Sequence, residues 1–237
     1  MTVRLLVTRP APDAERTAAA LRARGHAVIV APLLRIEPLK DAEIGPGPWA
    51  AVLVTSANAA AAIAAHKASA ALRSLPVFAV GERSAEAMRA VGFANVVSAG
   101  GDAADLARRV AAQLKSGAPL LHLAGADRSG DLAGALGAQG FAVCTVVVYR
   151  AVAAAELPPA AAKAFAAGID GVLHFSRRSA KAYLHTTRKL GDVALNAPTH
   201  FCLSAQVAEP LVRAGAGRVR IAPQPTKAAL IALIPAA

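Results

Sequence analysis

Short apolar, β-branched runs alternate along the whole chain with Ala-rich segments of helical length, and this alternation restricts the chain to an α/β fold. Strands are expected at Val3–Val7, Ala27–Val30, Ala51–Thr55, Val77–Val80, Asn95–Ser98, Leu120–Ala124, Val143–Val148, Gly171–Phe175, His200–Leu203 and Val219–Ala222. Helices are expected near Asp13–Arg24, Ala57–His66, Ser84–Val91, Asp102–Leu114, Gly130–Gln139, Pro158–Ala167, Arg178–Lys189, Ala205–Ala214 and Thr226–Ile234. Near-continuous apolar strands such as Val146–Val148 fit a parallel sheet covered by helices on both faces. Glycines after the helical runs, at Gly25, Gly92, Gly140 and Gly215, read as helix stops.

The pattern is written twice. Leu21–Val28 matches Leu136–Val143 at an offset of 115 residues, and the same offset pairs Arg35 with Arg150. Val54–Asn58 resembles His174–Arg178, and Val80–Val96 runs parallel to Leu203–Val219. Two flavodoxin-like units of about 115 residues account for the length of 237. The residues leave two divisions open. One is a tandem split near Gly117. In the other, Leu33–Asp41 and Val147–Ala154 are hinge strands, so that the ends of the chain share a domain.

Hydrophobic residues make up 55% of the chain and charged residues 17%, which excludes disorder. Two cysteines exclude a disulfide scaffold; Cys144 and Cys202 fall in apolar runs and are expected to be buried thiols. No stretch reads as a membrane span, because prolines, glycines and small polar residues break the uncharged segments. Charges at Arg4, Arg9 and Asp13 argue against a signal peptide. The expected protein is cytoplasmic.

The formal charge is +11, from 26 basic and 15 acidic residues. Such an excess favours anionic partners. Part of it reflects coding bias, because 19 Arg and 63 Ala are what GC-rich codons give. The bases are dispersed, and one Trp, two Tyr and six Phe offer little to stack on bases, so nucleic acid is not the expected partner.

The six histidines show no paired metal spacing, and the glycine-rich phosphate loops and the G-x-S-x-G elbow are absent from the sequence. What stands out is a set of strand-to-helix turns with small hydroxyls: Thr55-Ser56, Gly81 with Ser84, Ser176 with Ser179, and Ser204. Ligands of parallel α/β sheets bind beyond the carboxyl ends of the strands, where helix starts present free N–H groups to carboxylate or phosphate. Singly, each Ser or Thr reads as a helix cap. Together, two turns from each repeat point to an anion-binding site. Arg9 follows the first strand, and Tyr149 ends the strongest apolar run beside Arg150.

The ordered set Val7–Pro10, Thr55–Asn58, Val80-Gly81 with Ser84-Ala85, Val148–Arg150, Phe175-Ser176 with Ser179-Ala180, and Leu203-Ser204 resembles the uroporphyrinogen-III synthase family across essentially the whole chain. The resemblance implies two three-layer α/β domains with parallel sheets joined by a two-stranded linker. It places residues 1–36 with 152–237 in one domain, residues 39–148 in the other, and hinges at 36–39 and 148–152. It implies a cofactor-independent, metal-free hydro-lyase that closes hydroxymethylbilane, a linear tetrapyrrole polycarboxylate, to uroporphyrinogen III with inversion of the last ring, acting as a monomer. Tyr149 matches the family's tyrosine that assists departure of the hydroxyl. Arg9, Thr55, Ser56, Gly81, Ser84, Arg150, Ser176, Ser179 and Ser204 become the expected substrate contacts. The sequence departs from its relatives at Ser176–Ser179 and at Ser204. The competing reading is a non-catalytic α/β module that binds an anionic ligand.

Overall fold

A computed structural model of the protein describes residues 2–128 and 130–236. Along the chain run β1 (Arg4–Val7), α1 (Asp13–Arg22), β2 (Ala27–Val30), β3 (Leu34–Pro38), β4 (Ala51–Val54), α2 (Asn58–Ala64), α3 (Ser69–Leu72), β5 (Val77–Ala79), α4 (Glu82–Ala90), β6 (Val96–Ser98), α5 (Ala103–Gln113) and β7 (Pro119–Gly125). Then follow α6 (Leu132–Gly137), β8 (Ala142–Ala153), α7 (Pro159–Ala166), β9 (Gly171–His174), α8 (Arg177–Thr187), α9 (Asp192–Leu195), β10 (Thr199–Cys202), α10 (Ala205–Arg213), β11 (Val219–Ile221) and α11 (Lys227–Ala232). The chain divides into two compact units, residues 1–35 with 152–237, and residues 36–151.

The first unit holds a five-stranded sheet in the order β11-β10-β9-β1-β2, with every pair parallel. Side chains alternate across a strand, so Leu5 and Val7 go to one face and Leu6 to the other. On the first face Leu5, Val7 and Leu173 pack with Leu21 of α1 and with Leu230 and Ile231 of α11. On the second, Leu6 and Val172 pack with Phe165 of α7, Tyr183 of α8 and Leu211 of α10.

The second unit repeats the plan with a six-stranded sheet, β3-β8-β7-β4-β5-β6. Val52, Val54, Leu121 and Leu123 face Ile63 of α2, Leu72 of α3 and Met88 of α4. Leu53, Phe78 and Leu120 face Leu106 and Val110 of α5 and Leu136 of α6. Each sheet is therefore sandwiched between helices, and its central strands are apolar on both sides. The repeat Leu21–Val28 and Leu136–Val143 becomes the same helix stop twice. Gly25 and Gly140 both adopt φ 84°, and the next residues, His26 and Phe141, return N–H bonds to Leu21 and Leu136. That left-handed turn requires glycine.

Leu34–Pro38 is a strand, as the hinge-strand division has it; it lies at the sheet edge, where Arg35, Glu37 and Pro38 are tolerated. Two features differ from expectation. The helix after β5 begins at Glu82, two residues early, because Gly81 is the extended N-cap. Cys144 is exposed, while only Cys202 is buried. Val143 takes the face of β8 that packs on the core, so its neighbour Cys144 is turned to the other side. Burial pushes the Cys202 thiol up to about 12, an inert position for a thiol.

Candidate functional site

The strand order fixes where a ligand can sit. In the second unit, β4 leads through β5 to β6 on one side, whereas β7 and β8 lie on the other. The order reverses between β4 and β7, and the carboxyl ends of strands at such a point flank an open crevice. A cavity of about 540 Å³ lies there. Thr55 and Ser56 line it from the end of β4, His122, Gly125, Asp127 and Arg128 from β7 and its loop, and Tyr149 from β8. Asp102, Ala103 and Ala104 contribute the start of α5.

Tyr149 reaches this wall through a close approach. It pairs in register with Gly125, next to an irregularity between Ala124 and Gly125. The ring lies where a Cβ on Gly125 would be, so the phenol fills the space a side chain would occupy. The ring also packs against the apolar core of the unit.

The helix starts around the cavity differ in what they offer. Asp102 accepts N–H bonds from Ala104 and Asp105 at 2.8 and 3.1 Å, and the Asp105 side chain accepts one from the Asp102 N–H at 2.9 Å. The start of α5 is therefore already supplied with carboxylate. Gly81 caps α4 without a side chain, and a Cβ there would meet nothing within 4 Å. Ser84 is buried in the first turn of the same helix. Neither Gly81 nor Ser84 lines the cavity. Arg150 follows Tyr149 on the strand and so faces the other way, where its Nε donates to Glu37 Oε2 at 3.0 Å.

The first unit has its own reversal, between β1 and β9. Arg9 follows β1 and Ser176 follows β9, so the expected residues fall at this point too. Arg9 donates to Asp13 at 2.7 Å, and its guanidinium lies 4.2 Å from the ring centre of Phe175. Ser176 and Ser179 cap α8 reciprocally: Ser179 N–H donates to Ser176 Oγ at 3.0 Å, and Ser176 N–H to Ser179 Oγ at 3.1 Å. Ser204 is the N-cap residue of α10 but makes no side-chain cap bond. The structure thus brings Thr55, Ser56 and Tyr149 to one cavity, joins Ser176 to Ser179, and sets Arg9 beside Phe175.

His122, Gly125 and Arg128 are site residues that sequence reasoning passed over. His122 is a lone polar residue inside the run Leu120–Ala124, a pattern shared with any core histidine. Burial, and then the charge of Arg128, pull its pKa from 6.5 down to about 4. Among the described residues, no three His, Cys, Asp or Glu side chains gather as a metal site, and no helix is long and apolar enough to cross a membrane.

Two three-layer units, each with a parallel sheet and hydroxyl-bearing turns at its point of strand reversal, define a double α/β protein. The model of the family described as uroporphyrinogen-III synthase HemD matches residues 15–232, and the chain belongs to that family. In structure it is similar to the uroporphyrinogen-III synthetase of Helicobacter pylori, with TM-score 0.67 and 19% identity over 98% of each chain. It is also similar to a mutant uroporphyrinogen III synthase of the extremely thermophilic bacterium Thermus thermophilus, with TM-score 0.50 and 15% identity over 98% of this chain and 97% of that one. At these identities the likeness concerns the fold. A comparison with curated proteins returns no significant match.

Proposed function

We infer that this protein closes hydroxymethylbilane to uroporphyrinogen III, with loss of water and inversion of the last ring. Membership of the family supports the reaction. The observation that carries the site is Tyr149, which lines a cavity at the strand reversal together with Thr55 and Ser56.

The substrate is already reactive, so the main task is orientation. The carboxylates of the bilane are held at strand-to-helix turns, with Thr55 and Ser56 at the cavity of the second unit. A phenol O–H is a hydrogen-bond donor. Tyr149 gives its proton to the hydroxyl as the C–O bond breaks, so that water leaves and a cationic methylene-pyrrole remains. The substituted carbon of the last ring attacks that methylene and forms a spiro centre. The spiro centre reopens, and the ring recloses through its other carbon. The proton released at the final C–C bond returns to the phenolate. No metal or organic cofactor enters this route. The protein works as a monomer in the cytoplasm, with segments 36–39 and 148–152 as hinges.

Freshly prepared bilane tests the reading. Chromatography of the oxidised products should show the type III isomer, and type I alone would overturn it.

A further inference from the structure

The cavity wall contains one group that neither the sheet nor Tyr149 requires. His122 is 4% exposed and points to the same face of β7 as Leu120, where an apolar residue would pack as well. Its Nδ1 lies 3.4 Å from the Thr145 Oγ1 of the adjoining strand. Its Nε2 is buried and has no partner among the described residues. Native proteins rarely leave a buried polar atom unpaired, so an unpaired nitrogen behind a cavity wall calls for a partner.

The chemistry of the wall narrows the partner. In the tautomer where the Thr145 hydroxyl donates to Nδ1, the ring proton sits on Nε2, and His122 is a donor without a buried charge. Arg128 opens on the same cavity and supplies the cation. Of the carboxylates on the wall, Asp102 is spent on the N–H groups of α5. Asp127 stands next to Arg128 in the chain and keeps the wall from being a bare cationic patch. A neutral donor and one guanidinium on the wall of the same cavity suit a single carboxylate of a larger ligand.

We propose that His122 Nε2 and the Arg128 guanidinium form a carboxylate subsite in the second unit, holding one acetate or propionate arm of the tetrapyrrole while Tyr149 meets the reacting carbon. The assignment of the arm rests on the synthase reading.

Anaerobic titration with uroporphyrinogen III, the reduced product, tests it on the full chain. His122→Leu removes the donor and should raise Kd about ten-fold or more. His122→Gln keeps a side-chain N–H and should recover most of that loss. In turnover of bilane, His122→Leu should raise KM with little change in kcat, a split that a general loss of structure would not give. A His122→Leu protein that binds as the wild type does overturns the proposal. Should the variant fail to fold, the ¹⁵N signal of His122 Nε2 in the wild type must move on saturation with uroporphyrinogen III; an unmoved signal overturns it equally. A wild type that gives only type I product would remove the synthase reading, while these binding results still decide the role of His122.

Discussion

Gly125 lies directly against the phenol ring of Tyr149: a Cβ on Gly125 would come within 2.6 Å of Cζ and 2.8 Å of the hydroxyl oxygen. No real Cβ tolerates that approach, so the orientation of Tyr149 depends on the residue opposite having no side chain. Gly125→Ala should push the ring off the cavity wall. A displacement of about 1 Å can cost about 100-fold in rate, so turnover should fall by about 10- to 100-fold. In a Tyr149→Ala background the same change should cost nothing further, because the clash is gone. Turnover of the single variant within two-fold of wild type would show that the ring is not positioned this way.

The buried histidines make stability depend on pH. Desolvation lowers His122 to about 4, holds His174 well below 6.5, and lowers His200. Each is neutral when folded, whereas the unfolded chain takes up a proton near pH 6.5. The unfolded state therefore binds more protons between about pH 6.5 and pH 4, and stability falls as pH falls through that window. For His122 alone the full displacement corresponds to about 3 kcal/mol. Thermal melts should be level from pH 8 to 7 and drop steadily below 6.5. A Tm that holds down to pH 4.5 would contradict the neutral assignment.

Tyr183 belongs to the core of the first unit rather than to the chemistry. Its hydroxyl donates to the Ala194 carbonyl at 2.6 Å, and its ring meets His174 and His200 edge-on at 5.0 and 5.4 Å. Burial holds its phenol well above the usual value of 10. Tyr183→Phe leaves the Ala194 carbonyl unpaired and should cost about 1–3 kcal/mol in urea unfolding. Turnover at 25 °C should stay at the wild-type level. A loss of turnover without a loss of stability would give Tyr183 a role that its position does not suggest.

The central strands are written in runs such as Leu5–Val7 and Val52–Val54, which are apolar on both sides and so read as buried parallel strands. The edges are harder, because an edge strand has one partner and tolerates charge. Leu34–Pro38, with Arg35 and Glu37, lacks an apolar run for that reason and reads as a strand only in the hinge-strand division, and Cys144 looks buried although its neighbour Val143 takes the core side. Tyr149 stands out in the sequence because it ends the strongest apolar run. His122 does not, since Thr145 and the cavity wall come to it only through strand pairing. Gly125 is one of 18 glycines, and nothing local announces that Tyr149, 24 positions later, is paired with it.

Tyr149→Phe isolates the hydroxyl. The ring keeps its place against Gly125 and its packing on the core of the second unit. The hydroxyl makes no hydrogen bond to another described residue, so its removal should leave the melting temperature within about 2 °C of wild type. What is lost is the donor to the departing hydroxyl. General acid assistance is worth about 10²- to 10⁴-fold, and kcat should fall by about 100-fold. KM should change little, because the carboxylates of the bilane are held elsewhere. Slower enzymatic closure leaves more bilane to close on its own, so the product should shift from type III towards type I as turnover drops. Stopped assays resolving the two isomers measure both effects at once. Unchanged turnover in a folded Tyr149→Phe protein would take Tyr149 out of the mechanism and leave the orientation of the substrate as the whole of the catalysis.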